Sequence, residues 1–456
     1  MRIIQSFWSK PYSINQARDI YKGSHGPWVD PKYNLMSWTL SCLKFREFYD
    51  KVELITDDFG KKILLEDLGL PYTRVDTQLD DYEGFYKPEL LWSLGKIYTY
   101  SLQKEPFIHA DGDFIIWKRF PRRVEEADLL AQSRDKNLPV YSRMLKVIRE
   151  RFDFIPKEFL CQPPYNAFNC GIIGGSDLKF FQDFYKKVTQ VVSRNSHTFE
   201  KLQAWHLNVI FEQYYFYQLA EKAGKKVECL FRRTTRNYSE CMGFHMVPHF
   251  ASYIHPISDA KSKIHVCRQI ENLLRYEYPA YHARIEQLVK SITTKRTPKI
   301  SYEIKEQDGV SQGFLSRLRN SKINVDFLDD RMLRTMSLWR SMNLRQLFSA
   351  KFRLSGTAFA RRKTDREGIS ITMLTYLDPH SLKIKTLSLD GWDNIISYFR
   401  KPKSLREMIS EFKEYPHWKE KQRRLFMKAM LFQLARFMFY YGAIEMESPK
   451  AQKASN

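Results

Sequence analysis

Apolar residues recur at two spacings along the first 110 residues, and these spacings predict alternating strands and helices. Short apolar runs predict four strands, at residues 2–8, 52–58, 72–76 and 107–110. Apolar residues at helical spacing predict three helices between those strands, at residues 31–49, 63–68 and 88–100. Strands that alternate with helices are typical of a doubly wound sheet. We therefore expect an α/β fold with a Rossmann-type sheet flanked by helices.

Two carboxylates, Asp111 and Asp113, follow the fourth predicted strand with only Gly112 between them. At the carboxyl end of a buried strand they would reach a divalent cation and the diphosphate that the cation neutralises. Gly112 lacks a Cβ, so it permits a tight turn and a close approach of a nucleotide to the backbone. Asp-Gly is also a common hairpin signal, so the residues alone leave two interpretations, a metal clamp and a plain turn.

Length, composition and cysteine content limit the classes of protein that fit this chain. At 456 residues it predicts two or three domains, and a hydrophobic fraction of 43% is enough for globular cores. No apolar run approaches the ~20 residues that span a bilayer, and the first ten residues lack a signal-peptide core, so we expect a cytoplasmic protein. Six cysteines without paired spacing are expected to be reduced thiols.

The net charge of +22 predicts an anionic partner. Nucleotide diphosphates and an acidic peptide fit this charge, and so do phospholipid headgroups, which would give peripheral association with an anionic membrane. Nucleic acid ranks low, because the basic residues are dispersed and no zinc finger, ribonucleoprotein motif or basic-region zipper is present. We therefore predict no nucleic-acid partner.

Composition changes near residue 295, and this change predicts the domain organisation. Residues 291–298 are polar and contain a proline, as expected of a linker. The chain that follows mixes charge with short helical patterns that suggest no function. We expect a first domain, a linker or helical segment, an accessory domain and a disordered tail, at residues 1–295, 296–360, 361–448 and 449–456.

The predicted accessory domain carries a hairpin followed by helices. Two β-favouring runs, at 369–377 and 382–389, flank the turn signal Asp-Pro-His-Ser. Ser404 and Glu407 have the spacing of a helix capping box. Three helices are predicted after the hairpin, at residues 392–399, from 404 onward and at 419–440. A strand pair followed by three helices predicts a small α+β layout of the winged-helix kind.

Around the acidic motif, the sequence resembles the GT-A-type glycosyltransferases, the nucleotide-sugar-dependent class whose Asp-x-Asp motif holds manganese or magnesium. Residues 165–175 are similar to the Phe-Asn-x-Gly strand that lies near the donor sugar in that class. Glu212 and Gln213 are similar to the acidic-Gln pair that often opens a helix beneath the acceptor site. The opening residues also resemble an uncharacterised bacterial family with this motif, and the resemblance covers about residues 1–275.

Residues 253–261 are similar to the His-x-x-Gly-x-x-Lys segment of some retaining members of the class. The histidine there completes the metal shell and the lysine meets phosphate; here these positions are His255 and Lys261. Ser258 replaces the glycine of the segment, which puts a close backbone approach at that position in doubt. The resemblance leaves open whether the anomeric configuration is retained or inverted.

The resemblance implies a role for each matching residue. Asp111, Asp113 and His255 are the expected ligands of Mn²⁺ or Mg²⁺. Glu212 is the candidate catalytic residue and is expected to face the acceptor. The expected donor-binding residues, including two at the ends of the first two predicted strands, are Ser6, Asp57, Asp111, Asn169, Gly171 and Lys261.

Ordinary structural roles remain open for several of these residues. His255 precedes a proline among aromatic residues, so it also fits a buried, hydrogen-bonded histidine. Lys261 also fits a solvated lysine, and Glu212 an ion-paired helix residue. Asn169 also fits a turn cap before Gly171.

The C-terminal region resembles the PqqD-type winged-helix domains that recognise leader peptides in ribosomal-peptide modification enzymes. In those domains the peptide adds as a strand to the hairpin, which requires an exposed strand edge. The alternative is a helical appendage that stabilises or dimerises the enzyme.

The resulting hypothesis is a metal-dependent glycosyltransferase that uses a nucleotide sugar, with a UDP-sugar as first choice. Its acceptor would be a ribosomally made peptide recruited by the C-terminal domain, or a cell-surface polysaccharide. Two other classes remain as alternatives. One is a non-catalytic module that binds a nucleotide sugar or a peptide, and the other is a sugar nucleotidyltransferase, although the residues after the first strand form no Gly-rich loop.

Overall fold

The structure is a computed structural model, and its described residues form two compact units. The first unit comprises residues 1–242, 253–263 and 280–294, and the second comprises 243–252, 264–279 and 295–456. The predicted domain boundaries remain a prediction. Residues 293–298 of the polar linker and the whole of the predicted tail, 449–456, lie outside the described residues. The described residues are 1–13, 28–82, 90–199, 206–235, 243–292, 312–320, 325–364, 370–379, 383–389, 396, 398–411 and 418–447.

A seven-stranded sheet forms the centre of the first unit. Its strands are β1 (Arg2–Phe7), β2 (Val52–Thr56), β3 (Arg74–Asp76), β4 (Phe107–Ala110), β6 (Leu129–Lys136), β7 (Asn166–Gly175) and β8 (Val227–Thr235). They lie in the order β3-β2-β1-β4-β7-β6-β8. Only β7 is antiparallel to its neighbours, and the other pairs are parallel. Two short strands, β5 (Ile115–Ile116) and β9 (Tyr253–Ile254), form a separate antiparallel pair.

Helices flank this sheet. The α-helices of the first unit are α1 (Lys10–Ser13), α2 (Pro31–Phe48), α3 (Asp58–Lys61), α4 (Ser93–Ser101), α5 (Arg122–Glu125), α6 (Pro139–Arg151), α7 (Leu178–Arg194), α8 (Ser196–Phe199), α9 (Leu207–Val209), α10 (Tyr215–Lys222) and, from its second residue on, α12 (Pro279–Ile292). Two π-helical turns, Lys62–Asp67 and Ile210–Tyr214, continue α3 and α9. The predicted α/β fold is therefore confirmed, with a mostly parallel sheet between helices.

Local sequence explains where these helices begin and which face they bury. The Asp30 side chain accepts a hydrogen bond from Lys32 N at 2.9 Å, and Pro31 occupies the first position of α2, as expected at a helix start. In α7 the buried side chains recur at helical spacing, at Phe181, Phe184, Val188, Val191 and Val192. The predicted helix at 63–68 differs, because these residues form a π-helical turn after α3.

The second unit contains helices and two small antiparallel sheets. Its helices are α11 (Ile264–Glu277), α13 (Gln312–Asn320), α14 (Val325–Ser341), α15 (Leu344–Ser349), α16 (Leu405–Ser410) and α17 (Glu420–Phe439). Its strands are β10 (Lys351–Leu354), β11 (Ala358–Thr364), β12 (Ser370–Leu377), β13 (Ile384–Ser388), β14 (Lys403–Ser404) and β15 (Ile444–Met446). The strand orders are β14-β10-β15 and β11-β12-β13.

The predicted hairpin pairs as expected, but its surroundings differ from the predicted layout. β12 and β13 are antiparallel, and the Ser404 capping box is formed with Glu407. β11 adds a third strand to the hairpin, and β10 pairs with β14 and β15 in a second sheet. β10 and the first three residues of β11 lie in the segment 296–360, for which no strand was predicted. The predicted helix at 392–399 falls mostly outside the described residues.

Neither a disulfide nor a membrane span is present in the described part of the chain. Cys42, Cys161, Cys170, Cys229 and Cys267 form no disulfide with one another. No described helix combines the length and the apolar run needed to cross a bilayer.

Substitution of a leucine in β2 tests how much the central sheet contributes to stability. Leu54 is fully buried. Leu54→Ala should lower the free energy of unfolding by about 2–5 kcal/mol, because it removes buried methyl groups and leaves a cavity. Leu160→Ala is the matched control, since Leu160 is 50% exposed. Urea unfolding followed by circular dichroism measures both, and equal effects would contradict the assigned core.

Candidate metal centre

The strand order places a crevice where β1 and β4 end. The chain runs from β1 to β2 and β3 on one side of β1, and then returns to β4 on the other side. Ligands bind beyond the carboxyl ends of strands at such a change of direction. Asp111 directly follows β4, so the acidic motif lies at this edge.

The acidic motif forms a tight turn that is held from both sides. Phe114 N donates to Asp111 O at 2.9 Å, and Asp111 N donates to Gly171 O at 2.9 Å. Gly112 lies against the Trp38 indole, where a Cβ would come within 2.2 Å of the ring. The glycine is therefore required by this packing, in addition to the turn that the sequence predicts.

Pairing of β5 with β9 brings His255 to the acidic motif. Ile115 pairs with Ile254 in this two-stranded ladder, so His255 follows β9 beside the turn that precedes β5. His255 is 5% exposed, and its Nδ1 lies 2.6 Å from Gln132 Oε1. That contact directs Nε2 toward the carboxylates, as outer hydrogen bonds do for metal-binding histidines.

Three potential ligand atoms converge at this point. His255 Nε2 lies 3.3 Å from Asp113 Oδ1 and 3.9 Å from Asp111 Oδ2. Candidate ligand atoms from these three residues all lie within 4.8 Å of one another. Two carboxylates and an imidazole are a donor set that suits Mn²⁺. The two carboxylates also suit Mg²⁺, which uses nitrogen ligands less often. The predicted ligands are thus brought together and fit a divalent cation.

Each aspartate directs its other oxygen toward a lysine. Lys96 Nζ lies 2.7 Å from Asp111 Oδ1, and Lys261 forms an ion pair with Asp113 Oδ2. Lys261 lies on a 3₁₀ turn, Ser258–Ser262, and its Nζ also lies 5.7 Å from the centre of the Trp28 ring. Lys261 is therefore an ion-paired lysine at the motif rather than a solvated one.

Glu212 is connected to the acidic motif through Lys96. Lys96 Nζ lies 2.6 Å from Glu212 Oε1, and the Tyr100 hydroxyl donates to the same oxygen at 2.7 Å. Lys96 and Tyr100 are one turn apart on α4, so both reach one carboxylate. Glu212 is 2% exposed, so this end of the ionic network is almost fully buried, whereas the Asp111 side chain is 26% exposed.

The electrostatics of the cluster follow from burial opposed by charge. Burial favours a higher pKa for Asp113, but Lys261 and His255 outweigh it and hold that pKa well below the usual range. Burial also favours a lower pKa for Lys96, but Asp111 and Glu212 outweigh it and raise that pKa. Burial, with Asp111 nearby, raises the pKa of Glu212. The three carboxylates and two ammonium groups carry a formal charge of −1, which favours a cation.

Gly171 and Asn169 lie beneath the His255 ring, and we call these two residues the floor of the site. A Cβ on Gly171 would lie 2.2 Å from Gln132 Oε1 and 2.3 Å from His255 Nδ1. Asn169 is 4% exposed, and its Oδ1 accepts a hydrogen bond from Gly171 N at 3.1 Å. These two residues therefore fix the backbone beneath the His255 ring.

Ser6 and Asp57 lie at the ends of β1 and β2 but have local partners. Ser6 Oγ lies 2.8 Å from His109 Nε2. Asp57 caps α3 by accepting from Gly60 N at 2.8 Å, and its other oxygen accepts from Ser9 N at 2.6 Å. Asp57 thus holds the segment after β1 against the start of α3, and donor binding by either residue remains a prediction.

Lys96, Tyr100 and Gln132 also belong to the site, although the sequence patterns did not predict them. Lys96 is the only charged residue in the run 93–101, and a lone lysine in an otherwise uncharged helix is the signal that could have pointed to a buried ion pair. Gln132 lies on β6, and nothing in its neighbourhood marks it. It lies at the shift in register of β6 against β7 between Ala131 and Ser133, and its Oε1 contacts His255.

Comparison with known proteins identifies a family for this chain. Residues 1–288 match the model of a family of unknown function, DUF6734. The chain belongs to the DUF6734 family. Comparison with curated proteins finds no match.

Two solved structures were compared with this DUF6734 chain. One is a galactosyltransferase, LgtC, in complex with donor and acceptor sugar analogs, at 12% identity and a TM-score of 0.33, covering 65% of this chain and 98% of that one. The other is mouse xyloside xylosyltransferase 1 in its apo form, at 12% identity and a TM-score of 0.28, covering 56% of this chain and 96% of that one. Neither likeness assigns an activity to the DUF6734 chain.

Gly171→Ala tests whether the floor of the site positions His255. The added methyl group should displace the imidazole and weaken Mn²⁺ binding by about 10- to 100-fold, the usual effect of disturbing an outer shell. Gly356→Ala is the matched control, because a Cβ there meets nothing within 4 Å. Calorimetric titration with Mn²⁺ measures both variants. Equal affinities would show that the His255 position does not matter for binding.

Lys96→Met tests the buried ion-pair network. Removal of the ammonium leaves Glu212 without its cation, so we expect a loss of about 3–5 kcal/mol in the free energy of unfolding. Addition of Glu212→Gln should restore part of that loss, because the second change removes the uncompensated charge. Lys62→Met is the control, since its ion pair with Asp67 is exposed. Additive effects of Lys96→Met and Glu212→Gln would contradict direct coupling.

Proposed function

We propose that this protein is a metal-dependent glycosyltransferase that moves a sugar from a nucleotide-sugar donor to an acceptor. The first-choice donor is a UDP-sugar. The observation that supports the proposal is the convergence of Asp111, Asp113 and His255 at the carboxyl end of β4, with Lys261 beside them. A departing diphosphate is stabilised by a metal cation and by positive side chains near it. This edge of the sheet offers residues for both.

In this proposal Asp111, Asp113 and His255 hold Mn²⁺ or Mg²⁺. When bound, the ion supplies Lewis-acid charge to the departing diphosphate and orients it. Lys261 is 22% exposed at its side chain and could turn from Asp113 to the diphosphate oxygens, where its ammonium group would offset the leaving-group charge. Ser6, Asp57, Asn169 and Gly171 would shape the donor pocket.

Glu212 is the proposed residue that faces the reacting sugar and the acceptor. Its carboxylate is held by Lys96 and Tyr100, so its position is fixed before any substrate binds. Lys96 also contacts Asp111, which couples the position of Glu212 to that of the metal clamp. We treat Lys96 as a positioning residue.

The proposed acceptor is a peptide, with a cell-surface glycan as the alternative. The sheet β11-β12-β13 has β11 and β13 as its outer strands in the described part of the second unit. On β13, Lys385, Thr386 and Ser388 are exposed. An acidic peptide could add to such an edge as a further strand, which supports the peptide over the glycan.

Asp113→Ala is the direct test of the proposed reaction. The purified protein is incubated with a panel of nucleotide sugars and Mn²⁺, and release of nucleoside diphosphate is measured. We expect turnover with at least one donor, its loss on chelation, and a drop of roughly 100-fold or more in Asp113→Ala, because a lost ligand removes charge stabilisation at the diphosphate. His255→Ala should weaken the Mn²⁺ dependence with a smaller loss of rate.

Asp153→Ala is the control for this test, since that carboxylate is 74% exposed in the same unit. It should retain the activity of the unaltered protein. Near-normal Mn²⁺-stimulated turnover in Asp113→Ala would refute the metal assignment. Release of pyrophosphate from a nucleoside triphosphate and a sugar phosphate would indicate a nucleotidyltransferase, and binding without turnover would indicate a non-catalytic module.

A further inference from the structure

Most of the net positive charge of the chain belongs to its C-terminal part. Residues 295–456 contain 32 lysines and arginines against 17 aspartates and glutamates, so they hold +15 of the net charge of +22. The same residues form the longest segment of the second unit. A net positive charge of this size attracts anionic surfaces from a distance.

Helix α17 is buried along one half and exposed along the other. Met430, Leu431, Leu434, Ala435 and Met438 are buried in the second half. In the first half, residues 420–425 are exposed except for Arg423, which is half-buried. The second half therefore anchors the helix, and the first half presents its side chains to solvent.

The exposed half of α17 carries a basic face with an apolar centre. Lys421, Arg424 and Lys428 follow one another at three- and four-residue spacing and so share one face with Leu425. Together with Glu420 they line one open surface depression. Leu425 is 59% exposed, more than any other large apolar side chain among the described residues. Among the described residues, Lys421, Arg424 and Lys428 have no ion-pair partner.

An aromatic residue lies at the start of the same half. The Trp418 ring is half-buried and packs edge-on against Phe426, with their centres 5.0 Å apart. Tryptophan is favoured where an apolar phase meets water, because its ring is apolar and its N–H is polar. Basic residues, an exposed leucine and a tryptophan therefore occupy one helix end.

We propose that this face of α17, formed by Lys421, Arg424, Leu425 and Lys428, docks on an anionic lipid membrane. The basic groups contact lipid phosphates, and Leu425 enters the boundary of the acyl chains. Nucleic acid would use the charge but would leave Leu425 without an apolar partner. A peptide docks best where a pocket encloses its side chains, whereas this depression is open and Leu425 is 59% exposed in it. This inference does not depend on the proposed reaction.

Vesicle binding by the full chain tests the proposal. Co-sedimentation is measured with phosphatidylcholine vesicles that contain about 30% phosphatidylglycerol, and with phosphatidylcholine alone. We expect binding only to the anionic vesicles. Changing Lys421, Arg424 and Lys428 together to Gln should weaken it by about 100-fold, since each charge near such a surface contributes about 1 kcal/mol. Leu425→Ala should weaken it by about tenfold, because less apolar surface enters the bilayer.

A matched triple variant controls for net charge. Lys186, Lys187 and Lys226 are exposed in the first unit, and their change to Gln also lowers the net charge by three. This control should bind like the unaltered protein, with all melting temperatures equal. Equal losses in the two triple variants would overturn the proposal, since charge alone would then explain binding. An unchanged affinity in Leu425→Ala, or equally tight binding to heparin that Leu425→Ala does not alter, would also overturn it and favour a soluble polyanion.

Discussion

The double ion pair of Lys96 is the interaction on which the arrangement of this site depends. One ammonium group lies within 2.7 Å of carboxylates from two distant parts of the chain, Asp111 after β4 and Glu212 in the helix after α9. Buried carboxylates without a cation would be protonated or pushed apart. Lys96 therefore offsets the negative charge of two acidic groups that lie close together. Lys261 does the same for Asp113 from the opposite side.

Much of the fold could be predicted from the sequence because local periodicity determines single elements. The first four strands of the sheet, α2 and the acidic turn follow from apolar spacing and from one glycine. The hairpin of β12 and β13 and the Ser404 capping box were also accessible, since both depend on neighbouring residues. β10 was not, because its pairing partners, β14 and β15, lie far along the chain.

The residue types of the candidate site were predictable, but the contacts between its distant residues were not. The family resemblance pointed to Asp111, Asp113, His255 and Lys261, and the structure brings these four together. The resemblance could not indicate the contacts between residues that are far apart in the sequence. The contact of Lys96 with Glu212 depends on how α4 packs against a helix more than a hundred residues away. Asp57 is a different case. The resemblance predicted that it binds the donor, and in the structure it accepts hydrogen bonds from Gly60 and Ser9.

The pairing of β5 with β9 also sets the order in which the site can be completed during synthesis. His255 is made 142 residues after Asp113, and residues 243–252, which belong to the second unit, are made in between. At ordinary translation rates this interval lasts roughly 7 to 28 seconds. During it the acidic turn has Lys96 but lacks both His255 and Lys261, and β5 has no strand partner. The nascent chain therefore carries an incomplete, negatively charged edge until the segment 253–263 emerges.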